Sequence, residues 1–309
     1  MSHGFVISAL SGHILEYLSS GKGGIVHSIF PNTLNLWIEG QLITIQNCHL
    51  PLTPLSLVLR DKIESFHHLG LEVGAGIETH PHYIKVVDRQ FDIKNARIWN
   101  GTLSEEPLEI IEADIQLLRN ILKVWTNSSG IAEQVLGLNE TKSKAESEDP
   151  KPPLLQKKTM GGLAKALESK DIEDLLEQQE AFIDMIGVGP GLTPSGDDFL
   201  TGLLSVCHQM KNQLPHLEKF LFRLTGILYK EIHKTTDVSG AYLKFGCEGV
   251  FSQSIHGIFQ GIRVKDREQT IREALTLLKS GATSGSDTLT GIMYGLSLCH
   301  SLMTGRTCR

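Results

Sequence analysis

The chain has 309 residues, enough for one large domain or two ordinary ones, so a small scaffold stapled by disulfides or a metal is excluded. Its 29 basic and 35 acidic side chains sum to −6 with neutral histidines, and a pI near 6.1 argues against a surface built to coat phosphate backbones. At 40% hydrophobic and 21% charged residues it reads as an ordinary globular protein, and no apolar run approaches the ~20 residues a bilayer span needs.

The first apolar piece, Phe5 to Leu10, has no basic residues before it and is broken at Ser11-Gly12, so a secretory signal is not expected and the cytoplasm is. Cys48, Cys207, Cys247, Cys299 and Cys308 are scattered, with no C-x-x-C pair, which suits free thiols in a reducing compartment. Residues 24 to 60 read as strands. Ile25-Val26 leads to Phe30, Leu34, Leu36 and Ile38 alternate with Asn35, Trp37 and Glu39, and Leu42 to Ile45 resumes after a turn at Glu39-Gly40. Leu55 to Leu59, Tyr83 to Val87 and Phe91 to Ile98 are further strands, giving a mainly antiparallel β domain over residues 1–105.

Apolar residues at helical spacing (Ile111, Ile115, Leu118, Ile121, Leu122) predict a helix over 108–124. Residues 140–151 hold seven charged side chains in twelve and run into Pro150, Pro152 and Pro153, which predicts a flexible linker within a connecting region, 106–160. Beyond it the periodicity is helical almost throughout: 163–168, 172–186, 199–210, 217–233, 242–260, 267–278 and 288–302. The fold class is therefore α+β, with an all-helical domain over 161–309.

One short sequence occurs twice in that helical domain. Gly191-Leu-Thr-Pro-Ser-Gly-Asp-Asp-Phe-Leu-Thr-Gly202 is matched by Gly281-Ala-Thr-Ser-Gly-Ser-Asp-Thr-Leu-Thr-Gly291, which lacks the proline. Extended to Leu204 and Met293, eight of thirteen aligned positions are identical, a density that chance explains poorly. In each copy a serine is followed three residues later by an aspartate just before an apolar helix, the spacing of a capping box. Capping accounts for Ser195/Asp198 and Ser284/Asp287. It leaves Asp197, the glycines before the caps and the repeated Thr-x-Ser-Gly unexplained.

Glycine-rich entrances to helices expose backbone N–H groups in a region of positive partial charge, which suits phosphate or carboxylate. Carboxylates beside such an anion would repel it unless a hard divalent cation lies between, and Mg²⁺ takes one or two carboxylates with phosphate oxygens and water. Asp197, Asp198 and Asp287 are the candidate ligands and catalytic acids. Gly191, Thr193, Ser195 and Gly196, with Thr283, Ser284 and Gly285, are the candidate anion-binding residues. Gly202 and Gly291 fall about two turns into their helices, where glycine costs roughly 1 kcal/mol against alanine, so either each serves separate packing or both mark a close helix crossing; the crossing is expected, joining both loops at one pseudo-twofold site.

Other patterns are weaker. Gly187-Val-Gly189-Pro-Gly191 and Gly21-Lys22 fit neither a dinucleotide fingerprint nor a Walker loop, so no nucleotide cofactor is expected. His67, His68, His80 and His82 have no patterned third ligand for zinc. Thr235, Thr236 and Ser239, between two helices, read as caps by Asp237 or Ser239 or as extra hydroxyl donors to the ligand, and Tyr242 either presents its hydroxyl to the pocket or lies in the core. His27, on a strand, is the candidate for moving a proton.

Gly189-Pro-Gly191-Leu-Thr-Pro-Ser-Gly-Asp-Asp and Gly281-Ala-Thr-Ser-Gly-Ser-Asp-Thr-Leu resemble the motifs of the AllH family, bacterial proteins associated with oxamate carbamoyltransferase. The resemblance extends through Thr235-Thr236-x-Val-Ser239-x-x-Tyr242-Leu and more loosely to Val26-His27-Ser28-Ile-Phe30 and Asn35-Leu36, leaving the charged linker as an insertion. It implies one component of a hetero-oligomeric, Mg²⁺-dependent enzyme of allantoin and purine nitrogen assimilation, converting oxalurate and phosphate to oxamate and carbamoyl phosphate. A non-catalytic assembly or regulatory subunit, or an enzyme acting on another small carbamoyl or carboxylate compound, remains the alternative. Neither nucleic acid nor membrane is an expected partner.

Overall fold

The computed structural model describes residues 4–19, 21–125, 131–136 and 182–305. The expected linker over 140–151 and helix over 163–168 lie outside these residues, as does most of the expected helix over 172–186. The chain divides into two units. The first comprises residues 1–102 with 250–253, and the second comprises 103–249 with 254–309.

The first unit is a nine-stranded sheet built from β1 (Gly4–Ser11), β2 (Gly23–Ile29), β3 (Thr33–Ile38), β4 (Gln41–Gln46), β5 (Ser56–Leu59), β6 (Gly76–His80), β7 (Tyr83–Val86), β8 (Arg89–Asp92) and β9 (Arg97–Trp99), with a short helix α1 (Leu15–Ser19) after β1. The strand order is β5, β4, β3, β2, β6, β7, β8, β1, β9, and β5 also pairs with β1, so eight strands close on themselves like a barrel. Most pairings are antiparallel as expected, but β1 runs parallel to β8 and β9, and β4 parallel to β5. The hairpin at Glu39-Gly40 is present. Trp37 pairs with Leu42 and Ile38 with Gln41, and both turn residues have positive φ, the geometry whose twist matches two flanking strands. Leu34, Leu36 and Ile38 are fully buried on one face, opposite Ile45 and Ile43 of β4.

One expectation in this unit is revised, and one segment gains an assignment. Phe91 to Ile98 is not one strand, because residues 93–96 break it into β8 and β9. The apolar start, Phe5 to Leu10, is a strand of the barrel, joined to β5, β8 and β9.

The second unit contains α2 (Glu112–Trp125), α3 (Ile131–Val135), α4 (Ser195–Met210), α5 (Pro215–Glu231), α6 (Asp237–Cys247), α7 (Gln253–Arg263), α8 (Arg267–Leu278) and α9 (Ser284–Thr304). The expected helix over 242–260 is two helices. The chain leaves α6 at Gly249, whose φ of 80° favours glycine, and Val250–Gln253 joins the barrel unit, its last residue also opening α7. In the barrel unit Phe251 N–H donates to Gly101 O and Gln253 N–H to Leu52 O, both at 2.8 Å, and Val250 bridges Thr102.

Helices α4 and α9 form the centre of the second unit. Every residue of α9 from Asp287 to Cys299 is buried, and only Thr201 and His208 interrupt the buried run of α4. They cross at the paired glycines. A Cβ on Gly202 would run into Thr288 O and come within 2.9 Å of Ile292 N, while one on Gly291 would run into Phe199 O and come within 3.0 Å of Leu203 N. These contacts map onto one another when the two copies of the motif are exchanged, so the sequence repeat is a pseudo-twofold in space.

Candidate functional site

Each copy of the motif opens a central helix, but not as a capping box. The N-cap positions are Pro194 for α4 and Thr283 for α9, and neither makes a side-chain cap. The serines lie one residue inside. One of them crosses to the opposite copy as a hydrogen bond, Ser284 Oγ donating to Asp198 Oδ1 at 2.8 Å, while the Ser195 hydroxyl lowers the Asp287 pKa electrostatically. Thr193 and Thr283 add weaker support to the aspartate of their own copy.

The two carboxylates are deeply buried, Asp198 8% exposed and Asp287 0%. Asp287 Oδ1 accepts the Ile131 amide at 2.7 Å, and the Ala132 amide supports it, so the start of α3 is part of its surroundings. Among the described residues, Asp198 Oδ2 and Asp287 Oδ2 are buried with no hydrogen-bond partner. Burial pushes Asp287 up to about 6 against the pull of the Ser195 and Thr283 hydroxyls and the two α3 amides. It pushes Asp198 well above the usual carboxylate range, with the negative charges of Asp287 and Asp197 adding to the rise and the Ser284 and Thr193 hydroxyls opposing it.

Asp197 plays a different part. It aligns with Ser286 in the second copy and breaks the symmetry. Its Oδ1 accepts Gly187 N at 2.9 Å, and its Oδ2 accepts the hydroxyls of Thr235 at 2.5 Å and Ser239 at 2.8 Å. Three donors thus fill a carboxylate expected to ligate metal, and Thr235 and Ser239, expected as ligand donors, serve it. Thr236 caps α6, accepting Ser239 N at 3.1 Å, and donates to Leu192 O at 2.5 Å, so the cap is neither Asp237 nor Ser239. The amides of Gly196 and Gly285, expected to face an anion, donate to Val188 O and Ser280 O at 2.9 and 3.0 Å.

Of the remaining expected residues, Gly191 is exposed with φ 92°, Thr193 and Thr283 are half-buried beside the aspartates, and Tyr242 is half-buried on α6. His27 belongs to the barrel unit. The register of β2 slips between Val26 and Ser28, making His27 the extra residue of a bulge, and its Nδ1 lies 3.0 Å from Ser28 Oγ. Sequence reasoning missed Ile131, Ala132 and Gly187, which act through backbone amides. For Gly187 the glycine-rich run before the motif was a signal, whereas nothing local marks Ile131 or Ala132.

Among the described residues no three His, Cys, Asp or Glu side chains are grouped to hold a metal ion. The two unpartnered aspartate oxygens still match the one or two carboxylates Mg²⁺ takes when phosphate and water complete its shell. No described helix is long and apolar enough to cross a membrane.

Comparison with protein families gives two matches. Residues 185–296 match the family described as oxamate carbamoyltransferase subunit AllH, and residues 6–98 match the AllH family N-terminal domain. No solved structure matches the chain.

Proposed function

Because the chain belongs to the AllH family, matched in both of its units, we propose that it works as one subunit of a carbamoyltransferase that phosphorolyses oxalurate in allantoin nitrogen assimilation. In that reaction an oxygen of hydrogenphosphate attacks the carbamoyl carbon, the carbon–nitrogen bond to oxamate breaks, and the phosphate proton ends on the oxamate nitrogen. Carbamoyl phosphate and oxamate leave. The family description names a subunit, so partner chains belong to the assembly.

The observation that carries the reading is the pair of buried, unpartnered oxygens, Asp198 Oδ2 and Asp287 Oδ2, at the starts of two crossing helices. Two buried carboxylates with free lone pairs call for a cation or a proton between them. Asp198 and Asp287 would hold Mg²⁺, which when bound offsets phosphate charge and polarises the carbamoyl oxygen. Thr193 and Thr283, whose hydroxyls support those aspartates, would orient the carbamoyl donor by accepting from its amide N–H, and burial excludes water that would hydrolyse the product.

The test is turnover by the co-purified complex. Asp198→Asn with Asp287→Asn should lower oxalurate phosphorolysis by about 10²-fold or more, the usual effect of removing one preorganised electrostatic contact, while the complex still assembles. Full turnover in that variant would remove these carboxylates from the chemistry. A second reading, a non-catalytic assembly subunit, draws on Asp197, Thr235 and Ser239, whose hydrogen bonds are satisfied internally. It predicts that the same variant loses assembly and keeps the turnover of whatever complex forms. Another small carbamoyl or carboxylate substrate would show as an assembled complex inert toward oxalurate.

A further inference from the structure

Ser195 and Ser284 occupy equivalent places in the repeat, and sequence spacing puts them either on their own helix amides or on the ligand. The structure does neither. Ser284, opening α9, donates to Asp198 on α4 at 2.8 Å, whereas Ser195, opening α4, caps no amide of its own helix. The Ser284 contact is a consequence of the glycine crossing, which brings each helix start beside the other. A donor fixed on one carboxylate oxygen restricts rotation about the Cβ–Cγ bond and so directs the second oxygen, the logic by which outer residues orient metal ligands.

We propose that Ser284 is a positioning residue acting across the duplication: it aims Asp198 Oδ2 at a divalent-cation site shared with Asp287 Oδ2, which the Ile131 amide holds from its other oxygen. The proposal rests on the metal reading above. Both oxygens are buried and unpartnered, on residues more than nine-tenths buried. The two halves are unequal. Asp287 Oδ1 accepts Ile131 N at 2.7 Å, whereas the support for Asp198 comes from Ser284 and, more weakly, Thr193.

The experiment uses the full chain with aspartate carboxyl carbons labelled with ¹³C. Ser284→Ala should move the Asp198 resonance and spare Asp287, and Ser284→Thr should restore the original spectrum. Calorimetric titration of the same samples with Mn²⁺ alone should show one ion per chain, binding weakened at least tenfold by Ser284→Ala and restored by Ser284→Thr. If the alanine variant does not fold, Ser284→Cys keeps the volume with a much weaker donor. An Asp287 resonance that moves instead, or no movement at all, overturns the crossing. A wild-type chain that binds no Mn²⁺ overturns the metal reading and the aim at a cation with it, while the spectra still decide which aspartate Ser284 holds.

Discussion

At the scale of single residues, the buried aspartates give the protein a pH signature. Burial lifts the folded-state pKa of Asp287 to about 6 and of Asp198 well above the carboxylate range, so the folded chain holds protons that the unfolded chain has released. Such groups stabilise the fold fully below the ordinary carboxylate range, and that contribution is lost as pH rises through the folded value. For Asp287 alone the shift corresponds to about 2–3 kcal/mol between pH 4 and pH 7, at roughly 1.4 kcal/mol per unit. Urea midpoints measured without divalent ions should fall from pH 5 to pH 7.5 in the wild type and fall less in Asp198→Asn with Asp287→Asn. Parallel curves would show that these two carboxylates are ionised throughout. Mg²⁺ should restore the wild-type midpoint at pH 7.5 more than at pH 5.5, because it competes with protons for the same oxygens.

At the scale of elements, the repeat was legible and its wiring was not. Eight shared residues in thirteen announced two equivalent loop-helix entrances, and glycines two turns into each helix announced their close approach. The hairpin at Glu39-Gly40 was legible too, because strand alternation and turn chemistry are both local. What escaped were features that only tertiary contact decides. The serine–aspartate spacing of a capping box is the same whether the hydroxyl bonds its own helix or the neighbouring one. Helical periodicity continued across Gly249 although the chain departs there to pair with another unit. The Ile131 amide at Asp287 has no sequence mark at all.

The crossing itself makes a signed prediction. Gly202→Ala and Gly291→Ala should each destabilise by about 1–3 kcal/mol, because overpacking against the opposite backbone outweighs alanine's better helix propensity of roughly 1 kcal/mol. Gly226→Ala in α5, where nothing lies within 4 Å of an added Cβ, should stabilise by up to about 1 kcal/mol. Chemical denaturation of the three variants checks the sign, and a stabilised Gly202→Ala would contradict backbone contact at that point.

At the scale of the whole molecule, the barrel unit is not contiguous in sequence. Val250–Gln253 supplies it with a bridge to Thr102, backbone bonds to Gly101 and Leu52, and the buried side chains of Val250 and Phe251. Residues 1–102 alone should therefore unfold at lower urea than the barrel does within the full chain, followed through Trp37 and Trp99 with Trp125→Phe removing the signal from α2. Equal midpoints would mean the returning segment adds no stability. That return also constrains inheritance. A lineage that trades its barrel by swapping one uninterrupted stretch of coding sequence leaves four of the barrel's residues behind, since they are encoded far downstream, inside the region that specifies the helices. The two modules are expected to descend together, and engineered chimeras should graft both stretches at once.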